Sequence, residues 1–218
     1  MPYDSSFEIT VGGRGSKLSQ AQVWEVHREL LQFHPHIQFK PTWIVTMGDK
    51  DKKTSLRDLD KTDFFTREVD QLQLKGEFRI SIHSAKDLPV PLASGLKIVA
   101  LTKGVDSADV IVYNQDLSAN AIIATSSHRR EQNLREWKEG FRFADIRGTI
   151  EERLAILDRG EVDGVVMAEA ALIRLGLTDR RRMPIPGETA PLQGRLAVIA
   201  LSTDHEMEEL FRCIHHSL

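Results

Sequence analysis

Short β-branched and aliphatic runs alternate with amphipathic or charged stretches from one end of this 218-residue chain to the other. That alternation constrains the fold most, because strand-length apolar runs separated by helix-length amphipathic ones close into βαβ units. Strands are expected at 7–11, 37–45, 79–83, 97–101, 109–113, 121–124, 141–146, 164–167 and 196–201, with helices at 18–33, 64–74, 129–137, 150–157, 168–175 and 205–215. The expected class is α/β with mostly parallel sheets. Pro41 lacks an N–H, so it should split the second strand or confine it to a sheet edge.

Two stretches interrupt the pattern, "TKGVDSAD" at 102–109 and "IPGETAPLQGR" at 185–195. Gly, Pro and Asp-Ser punctuate both. They suggest a discontinuous plan: residues 1–102 with 196–218 as one domain, residues 103–195 as a second, and a ligand cleft between them. A net charge of −3 argues against nucleic acid as the main partner, so any anion site must be a local concentration of Arg and Lys. No segment approaches the ~20 apolar residues of a membrane span. The opening "MPYDSSFEITVGG" lacks the basic start and apolar run of a signal peptide, which predicts a cytoplasmic protein. The single cysteine, Cys213, excludes an internal disulfide framework and a cysteine-cluster metal site. No metal site is expected.

Polar groups gather where strands end. After the first strand, "GGRGSKLS" offers glycines for close backbone approach and Ser16 to cap a helix beginning near Lys17. "TSSHRR" places Ser127, Arg129 and Arg130 at a helix start, where each arginine opposes the helix dipole by about 0.3–1 kcal/mol unless an anion compensates. "RGTIEER" supplies Arg147 and Arg153, and Arg174 follows the strand "GVVMA". Hydroxyl-bearing helix N-termini and guanidinium forks suit carboxylates or phosphates. "GGRGS" is neither a P-loop nor the dinucleotide fingerprint. A polyanionic small molecule is the ligand class this repetition predicts.

"RISIHSAKDLPV" carries the exception. Its first half is a strand, and Pro89 forces the chain out of the sheet near Ser84 to Asp87. Asp87, beside Lys86, would repel an anion by several kcal/mol at ~4 Å and intermediate dielectric. A carboxylate there makes sense when the ligand also carries positive charge, which it can stabilise or relieve of a proton.

These segments carry a family likeness. "VGGRGSKLSQAQ", "VTMGD", "HSAKDLPV", "ATSSHRR", "RGTIEERLAILDRGEVDGVVMAEAALIRLGL" and "PLQGRLAV" resemble, in order and spacing, the porphobilinogen deaminase (hydroxymethylbilane synthase) family over nearly the whole chain. The resemblance implies two domains like those of type II periplasmic binding proteins with the active cleft between them. It also implies head-to-tail condensation of four porphobilinogen molecules with release of ammonia, then hydrolysis to hydroxymethylbilane. Each pyrrole bears an acetate and a propionate, which answers the demand for arginines.

Carried over by motif, Arg14, Ser16, Gln22, Lys86, Ser127, Arg129, Arg130, Arg147, Arg153 and Arg174 would bind substrate or cofactor carboxylates. Asp87 matches the catalytic aspartate, and Asp49, Ser84 and Gln193 are further cleft positions. The implied partners are porphobilinogen and linear pyrrole intermediates, with no nucleic acid or membrane, for a monomeric chain. Dipyrromethane is the implied cofactor. In the family a cysteine of a third domain holds it by a thioether, and by this resemblance no counterpart of that domain or that cysteine is expected in these residues.

Cys213, in the closing helix beside His215 and His216, reads as a small buried hydrophobe. "LRDLDKTDFFTRE" departs from a glycine- and lysine-containing lid loop of the family. With Asp58, Asp60 and Asp63, such a lid would repel polycarboxylates. Arg195 stands where the family has a small residue, to crowd the cleft or add a carboxylate partner. The competing readings are a noncatalytic pyrrole-carboxylate binder and a periplasmic solute receptor. Retention of Asp87 among the arginines favours the enzyme.

Overall fold

The computed structural model describes residues 7–51 and 63–217. In chain order the elements are β1 (Phe7–Arg14), α1 (Lys17–Leu31), β2 (Ile37–Ile44), α2 (Met47–Lys50), α3 (Arg67–Leu74), β3 (Ile80–Ser84), β4 (Leu96–Leu101), β5 (Asp109–Tyr113), β6 (Ile122–Ala124), α4 (His128–Trp137), β7 (Arg142–Ala144), α5 (Ile150–Asp158), β8 (Gly164–Ala168), α6 (Glu169–Arg174), β9 (Arg182–Pro184), β10 (Leu196–Leu201) and α7 (His205–Phe211). Single 3-10 turns follow β3, at Ala85–Asp87, and α7, at Arg212–Ile214. The chain divides into two compact units. The described part of the first is 7–50, 63–104 and 195–217, and that of the second is 51 and 105–194.

The first unit is built on a five-stranded sheet ordered β2-β1-β3-β10-β4. Ser16 caps α1 by accepting from the Ser19 N–H, and Val23, Val26 and Leu30 recur at helical spacing on the buried face of that helix. They pack with Ile9, Val11, Ile80, Ile82, Val198 and Ala200 from the strands and Met207 and Phe211 from α7. The sheet's opposite face receives α3, where Val69 packs with Ile44 and Phe78. β1 runs three residues past its expected end because Gly12 makes room: a Cβ there would stand 2.2 Å from the Phe78 ring. Pro41 lies within β2, which is an edge strand, so its missing N–H removes no bond from the sheet interior.

The second unit has a sheet ordered β7-β6-β8-β5-β9. Alternation along β5 and β8 feeds two cores. Val110, Val112, Val165 and Met167 face Leu154, Leu157 and Leu172, while Ile111, Tyr113 and Val166 face Leu134, Phe141 and Ile185. At α5 a capping box joins Thr149 and Glu152.

The expectation of mostly parallel sheets needs correction, because both are mixed. β10 runs antiparallel to β3 and β4, and β5 antiparallel to β8 and β9. β10 returns to the first sheet only after the chain has passed through the whole second unit, so no short crossover from β3 or β4 dictates a parallel direction for it. β9 itself has no β-branched pattern; its "RMP" ends on an edge-strand proline. α3 begins at Arg67, after turns, and so starts later than residue 64. The acidic positions Asp58 and Asp60 lie outside the described residues.

The connection into β10 is tight. Gly194 has φ +85°, and a Cβ there would stand 2.2 Å from the Asp106 carbonyl oxygen. Two residues earlier Leu192 adopts φ 61°, the left-handed region that disfavours a bulky side chain. Leu192→Gly should relieve about 1–2 kcal/mol of strain and lose part of that to unfolded-chain entropy, for a net gain of about 0.5–1 kcal/mol measurable by urea denaturation.

Candidate active site

In the first unit, Arg14 closes β1 and turns its guanidinium onto Asp49 of α2. Nη2 bonds Oδ1, and Nε lies 3.4 Å from Oδ2. The Phe65 ring stacks on the same guanidinium, with its centroid 4.4 Å from the Cζ. Asp49 also accepts from the Thr46 N–H at 3.0 Å and its hydroxyl at 2.9 Å. Burial pushes the Asp49 carboxyl up, but Arg14 and Thr46 outweigh it and hold it below the usual carboxylate range. Asp49 is therefore a counter-charge that aims Arg14. Ser16 is engaged in its capping bond. Gln22, six residues further along the chain on α1, donates to the Ser84 hydroxyl at 2.8 Å.

β3 ends at Ser84, and the 3-10 turn presents Lys86 half-buried and Asp87 exposed. The turn forms because Pro89 prevents the ladder from continuing, while Leu88 is extended and buried beneath it. Asp87 thus sits on a short constrained turn with its carboxylate open to solvent.

In the second unit, the helix start that carries two arginines contains its own anion. Arg130 donates from Nε and Nη2 to Asp109 Oδ1 at 2.9 and 2.6 Å, and Arg129 Nη2 forms an ion pair with Oδ2 at 2.7 Å. Gln193 donates to the same Oδ1 at 2.9 Å and to the Ser107 carbonyl at 2.6 Å. Asp109 is only 2% exposed. Burial pushes its carboxyl up, yet Arg130 and then Arg129 hold it below the ordinary aspartate value. The dipole argument had pointed to a bound anion; part of that compensation is internal. Asp109 was missed as a site residue, and the available signal was an acid on the first residue of a strand opposite "SSHRR".

The remaining arginines are steered by backbone carbonyls. Arg129 Nη1 reaches the Glu188 carbonyl at 2.5 Å, Arg147 Nη2 that of Asp51 at 2.7 Å, Arg153 Nε that of Gly148 at 2.9 Å and Arg174 Nη2 that of Gly194 at 2.8 Å. Ser127 caps α4 through the Arg130 N–H.

Arg195 binds backbone carbonyls. Its Nε donates to the Thr102 carbonyl at 2.7 Å and its Nη2 to that of His216, tying backbone of the first unit together. His215 Nδ1 accepts from the Leu101 N–H at 3.2 Å. Cys213 packs against the core with Sγ 3.4 Å from the Leu210 carbonyl, and burial pushes its thiol up, away from thiolate reactivity. Among the described residues no three His, Cys, Asp or Glu side chains form a metal-binding group, and no helix is long and apolar enough to cross a membrane.

Because the folded-state carboxyl of Asp109 is depressed, its contribution to stability is complete above the unfolded value near 4 and is lost as pH falls through the folded one. Asp109→Asn leaves two arginines facing a neutral amide. It should cost about 3 kcal/mol in urea denaturation at neutral pH, with a smaller difference from wild type in strong acid.

The sequence matches the family model "Porphobilinogen deaminase, dipyromethane cofactor binding domain" over residues 9–209. A porphobilinogen deaminase of Nostoc sp. is 35% identical, aligned over 95% of this chain and 68% of its own length. A probable porphobilinogen deaminase of Chlamydia pneumoniae is 37% identical, over 95% of this chain and 90% of its own. Among solved structures, the effector-binding domain of BenM with benzoate superposes at a TM-score of 0.57 and 11% identity, covering 95% of this chain and 90% of that one. An arginine-transport periplasmic binding protein of Legionella pneumophila gives 0.53 at 12% identity, covering 94% and 90%. Those likenesses establish an α/β fold of the type II periplasmic-binding-protein kind, and with the match across nearly the whole sequence they place this chain in the porphobilinogen deaminase family, a family of transferase enzymes.

Proposed function

We propose that this chain condenses porphobilinogen units head to tail into a linear tetrapyrrole, releasing one ammonia per unit, and that Asp87 is its catalytic residue. The observation that carries the reading is the contrast among three carboxylates. Asp49 and Asp109 are committed to arginines, whereas Asp87 is exposed at the end of β3. In each addition the carbon–nitrogen bond of the substrate's protonated aminomethyl group breaks. Ammonia leaves, and a positive charge stays delocalised over the pyrrole and its methylene. The free α-carbon of the neighbouring pyrrole then forms the new carbon–carbon bond and gives up its proton. A carboxylate near the pyrrole N–H stabilises the cation and accepts a proton, roles that Arg14 or Lys86 cannot fill.

Acetate and propionate groups are the partners assigned to the guanidinium and ammonium groups. Arg14 and Lys86, with Ser16, Gln22 and Ser84 beside them, form one set of donors. Ser127, Arg129, Arg130, Arg147, Arg153 and Arg174 form another, with Gln193 buttressing Asp109. These donors fit the carboxylates of dipyrromethane as well as those of substrate. The thiol available in this sequence does not fit its covalent attachment. Cys213 lies on a 3-10 turn against the core of the first unit with its thiol pushed up. When bound, dipyrromethane would supply the pyrrole from which the chain grows. The same observation favours a second reading, a pyrrole-carboxylate binder that does not polymerise.

Asp87→Asn should leave porphobilinogen binding nearly intact and lower turnover by about a hundredfold or more. Unchanged porphobilinogen consumption by the variant would remove the catalytic assignment. Wild-type chain that binds porphobilinogen and releases no ammonia would support the binder.

A further inference from the structure

β3 presents two faces, and the polar one leads into α3. Gln73 of α3 and Ser81 of β3 have no exposed surface, and His83 is 6% exposed. Both amide hydrogens of Gln73 go to carbonyl oxygens, Arg79 at 3.1 Å and Ile199 at 2.9 Å. Ile199 lies where the β10–β4 ladder shifts register. Carbonyls only accept, so the amide orientation is settled and its Oε1 must be an acceptor. The Ser81 hydroxyl donates to it at 2.8 Å.

A hydroxyl has one hydrogen, so Ser81 Oγ can meet His83 Nε2, 3.2 Å away, only as an acceptor. The ring proton is therefore on Nε2, and Nδ1 is left as a lone pair. Burial, and then the charge of Arg14, push the His83 pKa down to about 4. Three buried polar side chains would be costly if any were unmatched, yet here each satisfies the next.

We propose that Gln73 and Ser81 are positioning residues for the reaction, holding His83 as its Nε2–H tautomer so that the strand end bearing Ser84, Lys86 and Asp87 is presented in one arrangement. This rests on the deaminase reading for its functional consequence, though not for its hydrogen bonding. A ring free to flip or to exchange tautomers would loosen the last residues of β3, immediately before the turn that sets Asp87. The relay spans from α3 through β3 to the β10 backbone, so it fixes that strand end from beneath.

The test uses ¹⁵N-labelled full chain, with the two-bond ¹H–¹⁵N correlations of the His83 ring reporting the tautomer. Ser81→Ala leaves both carbonyl bonds of Gln73 in place and serves as the conservative variant; Gln73→Leu is the second. Wild type should show a single Nε2–H form. Both variants should show mixed tautomers, with kcat for porphobilinogen consumption about tenfold lower and KM within about twofold. An Nδ1–H ring in wild type, or the same tautomer in all three proteins, overturns the relay. Shifted tautomers with unchanged kcat overturn its role in the reaction. A wild-type chain with no turnover overturns the deaminase reading instead, and the spectra then decide the relay by themselves.

Discussion

The ion pairs that Arg129 and Arg130 make with buried Asp109 set the terms for the rest of the second unit. Two guanidinium groups at the N-terminus of α4 are opposed by the helix dipole and by each other, and a solvated pair would be mobile as well. A carboxylate beneath them removes most of that penalty and points both forks in one direction. Gln193 adds a third donor to Oδ1 and connects the start of β5 to the connection leading into β10. Arg14 and Asp49 repeat the device in the first unit with Thr46 as the third member. In both places the acid is spent on holding an arginine, which separates charge used for architecture from charge available to a ligand.

That separation explains why Asp87 differs from the other acids. An aspartate already engaged by an arginine has little proton affinity left and little capacity to stabilise a cation. Asp87 sits on a turn that Pro89 and buried Leu88 hold against the sheet, close in sequence to the relay that fixes His83. Rigid support beneath a carboxylate is what preorganised electrostatic stabilisation requires, and a bound pyrrole would supply the exclusion of water that strengthens it. A solvated turn ion pair would need neither the relay nor the Gln22–Ser84 bond.

Much of this was legible in the residues. The strand pattern of "DVIVY" and "GVVMA" is the two-sided apolar run of a buried strand, and both are central in their sheet. "SSHRR" announced a charged helix start through its capping serine and misplaced arginines. Strand direction was not legible, because β5 and β10 carry the same apolar pattern whichever way they run. Nor was β9, whose pairing depends on β5 rather than on its own three residues. Among site residues, Asp109 was hidden by its position: at a strand's first residue an aspartate looks like a loop acid until the fold brings α4 over it. Gln73 was hidden differently, since "QLQL" shows glutamines at two alternate positions, 71 and 73, and only the packing of α3 on β3 says which one is buried. Arg195 was legible as unusual, and its actual partners are carbonyls rather than carboxylates.

The central claim is that arginines held by internal acids and carbonyls recognise the carboxylates of a pyrrole substrate. Titration calorimetry of the chain with porphobilinogen and with its dimethyl ester, at the same ionic strength, tests this directly. Binding of porphobilinogen that weakens as salt is raised, with the ester at least a hundredfold weaker, about 2.7 kcal/mol, is the predicted result. Equal affinity for acid and ester would contradict it.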